Sequence, residues 1–441
     1  MTPPRLIVLV ATTALLVACG GSNDHPERGA LLDPPAPVGL PIPAAQIDAL
    51  TAEHGLQQLT GPALCDVKVI ELNYATLGAR TERTNASGVL LVPTGGAPGS
   101  GCATRAAPLV AYARGTDVNK SRALADPRDP ETGLLAAFFA AQGYAVVATD
   151  YLGYARSSYW FHPYLHADSE ATSVLDSVRA ARRAAADVGL RLSGQVLLTG
   201  YSQGGHSSMA AQRAAESGYG TEFDIVAGAH LAGPYNMAGA MKSPVAVAGY
   251  QFFVPMIITG WQKVYGDIYA RADEVFKLPF ADWIDNLLPA PDASYTSLVT
   301  SGKLPGGTPG QARDALMQPD FLEILQHSDT APIAVAAQKN TLFNWKPKAP
   351  VLLCGGAADP TVPLLIHQNP MVANFAANGV TAESADVDPF IQLNFGPGGV
   401  APTDPNSDEY ATYYGNYHGT YEPPFCMKAA RDLFEKALGA G

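Results

Sequence analysis

From Cys65 onward, short apolar runs alternate with amphipathic stretches in the manner of a chain that weaves strands and helices into one body. Val67 to Leu77 and Ser87 to Val92 read as early strands, and Pro108 to Ala113 as an inner one. Leu134 to Ala141 has the pattern of a helix. Tyr144 to Thr149 is apolar throughout, as expected of a strand covered on both faces. Asp168 to Asp187 reads as a long helix capped by Asp168 or Ser169. Gln195 to Thr199 is a further strand, Ser208 to Glu216 a helix, and Ile225 to Leu231 another strand. This order predicts an α/β fold with a mostly parallel sheet flanked by helices.

After Gly233-Pro234-Tyr235-Asn236 the rhythm stops, and it resumes only at Val351-Leu352-Leu353-Cys354. The gap far exceeds a crossover connection, so residues 236–345 read as a large inserted helical cap. Its aromatic and aliphatic residues, Tyr250, Phe252, Phe253, Met256, Ile257, Ile258 and Trp261, are mostly expected to pack the cap's own core. The uncharged stretch Pro244 to Trp261 is too short, and too interrupted by Gly249 and Pro255, to read as a membrane span. Leu364 to Ala377 reads as a helix after the resumed strand, Asp386 and Asp388 lie in or just beyond the last strand, and a C-terminal helix runs to about Leu438.

Composition narrows the class. With 47% hydrophobic and 15% charged residues among 441, the chain can bury a large core. A formal charge of -12 argues against a nucleic-acid partner. At the N-terminus, Arg5 precedes the apolar run Leu6 to Val17, and Leu16-Val17-Ala18-Cys19 resembles the lipobox of bacterial lipoproteins. That resemblance implies a signal peptide over residues 1–18, lipid on the Cys19 thiol, and an exported protein that meets the membrane only through this anchor; an ordinary secretory signal is the alternative. Residues 19–60, rich in Gly and Pro at their start, read as a tether. Export also colours the other cysteines. Cys65, Cys102, Cys354 and Cys426 allow three pairings, and buried free thiols are the alternative; we favour Cys65 with Cys102 and Cys354 with Cys426.

Gly200-Tyr201-Ser202-Gln203-Gly204 carries the candidate chemistry. A Gly-x-Ser-x-Gly between a strand and a helix is the setting of a nucleophile elbow, where a tight turn raises the Ser202 hydroxyl and the Gln203 N-H faces a developing oxyanion. In a chain with 43 glycines chance alone supplies about 0.2 such motifs, so the context has to decide. Asp359, in Ala358-Asp359-Pro360, follows the resumed strand and so lies at the same sheet edge; capping the helix that follows is its bland reading. Only His367 and His418 lie beyond it, and His367 falls within the expected helix. His418, on a loop before the final helix, is therefore the candidate base.

Together with Thr149-Asp150-Tyr151-Leu152-Gly153-Tyr154 and His162-Pro163-Tyr164-Leu165, these features resemble α/β-hydrolases of the bacterial secretory-lipase type over residues 61 to 441, the cap excepted. The resemblance implies a core over 61–235 and 346–441, and a serine carboxylic-ester hydrolase with a Ser202-His418-Asp359 triad and no metal or cofactor. It also implies small-molecule or lipid esters as substrates, polyesters among them. Such relatives often carry His-Gly-Thr after the inner strand, where this chain has Arg114-Gly115-Thr116, so a second oxyanion donor is expected at the Thr116 N-H. Arg156, His162 and Tyr164 are candidates for the pocket mouth. An exported serine peptidase with the same triad is the alternative, and an acidic cap lining would favour it.

Overall fold

The strand rhythm closes into a single sheet. In the computed structural model, which describes residues 26–96, 99–244 and 252–439, nine strands run in the order β1-β2-β3-β5-β4-β6-β7-β8-β9. They are β1 (Ala36–Pro37), β2 (Asp66–Leu77), β3 (Arg83–Thr94), β4 (Ala107–Ala113), β5 (Ala145–Tyr151), β6 (Leu192–Tyr201), β7 (Asp224–Leu231), β8 (Val351–Gly355) and β9 (Glu383–Asp386). From β5 to β9 every pairing is parallel, and β1 to β3 form an antiparallel margin.

Alternation along the central strands builds a core on each face. Val110 and Tyr112 of β4 face one way with Val146 and Ala148 of β5; Leu109, Ala111 and Ala113 face the other with Ala145 and Val147. The first core is covered by α1 (Pro130–Phe138) and the C-terminal α4 (Glu422–Ala437), the second by α2 (Ala167–Ala184) and α3 (Gln203–Gly218). Local chemistry sets the ends: the Asp129 side chain accepts from the N-H groups of Glu131 and Thr132, with Pro130 opening the helix, so α1 starts there.

Between β7 and β8 the chain forms a run of helices with its own buried cluster, in which Trp261, Ile258, Phe276 and Leu316 are sealed from solvent. That cluster also takes in Tyr164, Leu165 and Val118 from the main body, so the two share one apolar seam. Among the described residues no helix is long and apolar enough to cross a membrane.

Several expectations need correction. Residues 26–60 are no free tether: Ala36 and Pro37 pair with Glu71 and Ile70, Ala44–Glu53 is a helix, and Arg28 bonds Asp176 at 3.1 Å. The Gly- and Pro-rich composition misled because an edge strand tolerates proline, whose missing N-H need not face a partner. α2 begins at Ala167 with His166 at its cap, which places Asp168 and Glu170 in the first turn. The helix expected from Leu364 begins at Gln368, the preceding residues forming turns after Asp359. Residues 1–25, with the signal peptide and Cys19, lie outside the described residues, as does Tyr250.

Candidate active site

Ser202 stands at the junction of β6 and α3 with φ 60° and ψ -119°, a conformation that L-residues adopt only when the surrounding structure forces it. Its backbone N-H is tied to the Leu231 carbonyl at 2.9 Å. The flanking glycines permit the turn. A Cβ on Gly204 would lie 1.8 Å from the Ala113 carbonyl oxygen, and one on Gly200 would lie 2.3 Å from that of Gly204. As the first residue of α3, Gln203 has a backbone N-H without an intrahelical partner, at the positive end of the helix dipole.

His418 faces Ser202 from a single π-helical turn, Tyr417–Tyr421, that runs directly into α4, where the sequence had indicated a loop. The wider turn inserts one extra residue into the helical path, and such turns recur at functional sites. His418 Nε2 lies 2.8 Å from Ser202 Oγ, and Nδ1 lies 2.7 Å from Asp359 Oδ2. An ionised carboxylate can only accept, so the ring proton sits on Nδ1 and Nε2 is left to take the serine proton. The Tyr201 hydroxyl donates to the His418 carbonyl at 2.5 Å, and the two rings are 5.1 Å apart, which fixes the backbone and the imidazole together.

Asp359 lies just beyond β8 and is almost fully buried. Burial by itself would push its carboxyl up, but His418, together with the N-H groups of Thr361 and Val362, holds it below its ordinary range. The structure thus brings Ser202, Asp359 and His418 together and keeps His367 apart. His367 takes a 3.3 Å bond from the Asn236 N-H, and burial lowers it to about 3. Asp359, His418 and Glu422 each present a possible metal-ligand atom within 4.8 Å of the others. Both His418 nitrogens are already engaged, however, so the arrangement suits proton transfer better than ligation.

Thr116 is held by its hydroxyl, 2.8 Å from that of Tyr164, and the Gly115 N-H before it donates to Glu131 at 2.9 Å. Arg114 points away from the site: it is fully buried, 3.9 Å from Asp150 and over the Tyr154 ring at 4.4 Å. Of the three residues expected at the pocket mouth only Tyr164 lines the pocket. Arg156 instead pairs with Asp33 and Glu71 at the sheet margin. His162 is buried beneath Gln203; burial lowers it to about 4 and keeps it neutral. Its Nδ1 N-H donates to the Leu152 carbonyl at 2.9 Å, and its Nε2 accepts from the Gln203 amide at 2.7 Å.

The residue that sequence reasoning missed is Glu170. Its buried carboxylate accepts from the Leu165 N-H at 2.8 Å, the Gln203 amide at 2.6 Å and the Ser207 hydroxyl at 2.7 Å, and meets His206 at 3.1 Å. Burial would raise its carboxyl, yet His206, His162 and Ser207 bring it below its ordinary value. One carboxylate thereby fixes both the residue after the nucleophile and the loop that carries Tyr164. Its only sequence signal is an acidic residue in a helix's first turn, where a surface role is far commoner.

Above Ser202 the pocket is lined by Tyr164, Leu165, Met237, Met241, Phe253 and Ile257 from the main body and the inserted helices, with Pro234, Thr361 and Val362 completing its wall. Among the described residues that line it, none is charged. Both cysteine pairs are disulfides, Cys65 with Cys102 and Cys354 with Cys426, as favoured from the sequence.

Comparison with known proteins places this geometry. The secretory lipase family model matches residues 131–387, more than half of the chain. The chain belongs to the secretory lipase family. A ligand-bound rice cell wall degrading esterase, LipA from Xanthomonas oryzae, is 30% identical over 93% of this chain and 100% of its own, with a TM-score of 0.78. A putative hydrolase from Legionella pneumophila shares the fold at 21% identity and a TM-score of 0.72, over 92% of this chain and 98% of its own. Candida antarctica lipase A in its closed state is more distant, at 16% identity and 0.52, over 82% and 77%. No curated protein sequence matches the chain. The chain is an ester-hydrolysing enzyme on an α/β-hydrolase fold.

Proposed function

We propose that the enzyme hydrolyses carboxylic esters through a Ser202-His418-Asp359 triad and an acyl-enzyme, and the unbroken path of 2.8 and 2.7 Å contacts from Ser202 through His418 to Asp359 carries that reading. As Ser202 Oγ attacks the ester carbonyl, its proton passes to His418 Nε2, and Asp359 stabilises the imidazolium. The carbonyl oxygen takes up the negative charge before the N-H groups of Gln203 and Thr116. Collapse breaks the ester C-O bond, and the departing alkoxide takes the proton from His418. Water then attacks the acyl-enzyme with His418 again as base, releasing the acid and restoring Ser202.

The inserted segment, residues 236–345, serves in this reading as a cap whose inner helices supply the acyl or alcohol pocket. Because Met237, Met241, Phe253 and Ile257 offer no partner for a substrate amine, the pocket favours an ester with an uncharged, apolar group over an aminoacyl amide. The test compares p-nitrophenyl esters of increasing acyl length with aminoacyl p-nitroanilides. Ester turnover should exceed anilide turnover by orders of magnitude. Ile257→Trp should shift the preferred chain shorter; a dominant anilide activity would overturn the ester assignment in favour of a peptidase.

Membership of a secretory family supports export, and the Leu16-Val17-Ala18-Cys19 sequence supports a lipid anchor at Cys19. Cys19→Ala is expected to move the protein from the membrane fraction to the soluble fraction or leave it as an uncleaved precursor. Unchanged processing and fractionation would favour an ordinary signal peptide.

A further inference from the structure

Behind the Asp359-His418 pair stands a second carboxyl group that the mechanism does not use. Glu422, the first residue of α4, lies one helical turn beyond His418, and its Oε2 is 3.9 Å from His418 Nδ1. It is fully buried, and among the described residues neither carboxyl oxygen has a hydrogen bond of good geometry, although Asp359, Tyr201 and the Gly356 backbone all lie close enough to interact with it. The ligand atoms of Asp359, His418 and Glu422 all lie within 4.8 Å of one another.

The groups that face Glu422 decide its state. From the loop after β8 come Asp359 and the Gly356 backbone; from β6 comes Tyr201; from the π turn come His418 and Tyr417, the last bonded to Asp388 at 2.6 Å; and Tyr235 lies near from beyond β7. Among the described residues no lysine or arginine faces it, and the one facing group able to carry positive charge, His418, is already paired with Asp359. Two ionised carboxylates this close, in a site closed to water, would repel without compensation, so one of them keeps its proton.

We propose that Glu422 is a positioning residue, retained as a neutral carboxylic acid that closes the rear of the Asp359-His418 pair to water and leaves one negative charge facing the imidazole. This rests on the triad reading above. Burial, then the charge of Asp359, drives its carboxyl well above the usual glutamate range. The sign of the linkage follows. A group whose folded pKa is raised contributes its stability in full below the unfolded value, about pH 4. That contribution is lost as pH rises through the folded value, because the unfolded chain ionises first. Glutamine copies the neutral acid in shape and cannot ionise.

The test uses the whole protein with Glu422→Gln and Glu422→Ala, followed by thermal melting and by kinetics on p-nitrophenyl acetate. Going from about pH 5 to about pH 8, the melting temperature of the glutamine variant should climb relative to wild type. Alanine should lower kcat by about ten- to a hundredfold with little change in KM, and glutamine should recover most of that loss. A melting difference that does not change with pH, or glutamine as inactive as alanine, would overturn the proposal. Should the alanine variant fail to fold, the melting comparison between glutamine and wild type decides alone. Ser202→Ala, assayed alongside, separates the two readings: turnover surviving that change would sink the triad and leave the melting result standing.

Discussion

Ser202→Ala lowers ester turnover by a factor on the order of 10⁴ to 10⁶ while leaving the melting temperature near that of wild type. Among the described residues the hydroxyl bonds only His418 Nε2, and removing it leaves neither a buried charge nor a cavity larger than one atom. His418→Ala lowers turnover as far, but for a different structural cost, because it strips the imidazole from an almost fully buried carboxylate and leaves it to backbone N-H groups such as that of Thr361. The two changes act on one proton path, so the double variant is expected to be no slower than the worse single one. Additive losses would mean that serine and histidine act in separate steps, and near-normal turnover by Ser202→Ala would refute the nucleophile. What should survive is binding, since the pocket walls are untouched; KM for p-nitrophenyl esters is the quantity to follow.

Much of this site was legible in the chain because its parts are local. Gly200 and Gly204 bracket Ser202 between a strand and a helix, and each glycine meets a backbone oxygen at a distance that no side chain permits. Asp359 could be placed because a residue just past a parallel strand must emerge at the edge where the elbow lies. The early strands were likewise marked by period-two alternation, which the two cores on opposite sheet faces require.

What remained hidden depends on tertiary contacts. Nothing in Ala36-Pro37 announces a strand; its pairing partner, Glu71-Ile70, supplies the order. The π turn under His418 cannot be read from Tyr417-His418-Gly419-Thr420-Tyr421, because the same residues would serve a loop equally well. Glu170 and Glu422 both sit in the first turn of a helix, where acidic residues are ordinary partners of the helix dipole, and only burial distinguishes them. Burial also gives them opposite states. Glu170, ringed by donors, stays ionised to hold Gln203, whereas Glu422, facing another carboxylate, keeps its proton.

Replacing Cys354 and Cys426 together by alanine should cost the fold about 4 kcal/mol in the chain-entropy view, since the bridge closes a loop with a sequence separation of 72. Alanine is the better probe than serine, because both sulfurs are fully buried and a hydroxyl there would lack a partner. The bridge also has a mechanical consequence. Cys354 lies on β8, which delivers Asp359, and Cys426 lies one turn after Glu422 on α4, whose first residues continue the π turn bearing His418. Without the bridge, α4 is still held by packing of Met427, Ala430, Leu433 and Phe434 and by the Lys436–Glu383 pair to β9 near its far end, but its first turn loses its covalent tie to β8. A shift of about 1 Å at His418 is enough to lose roughly a hundredfold in rate where geometry governs proton transfer. The double variant is therefore expected to melt several degrees lower and to show a reduced kcat well below its melting temperature, with KM nearly constant. Breaking Cys65–Cys102 serves as the comparison: that bridge ties the residue just before β2 to the segment before β4, away from the triad, and its removal should lower stability without lowering kcat at room temperature. Equal kcat losses from the two bridges would show that the first acts through global stability rather than through the alignment of Asp359 and His418.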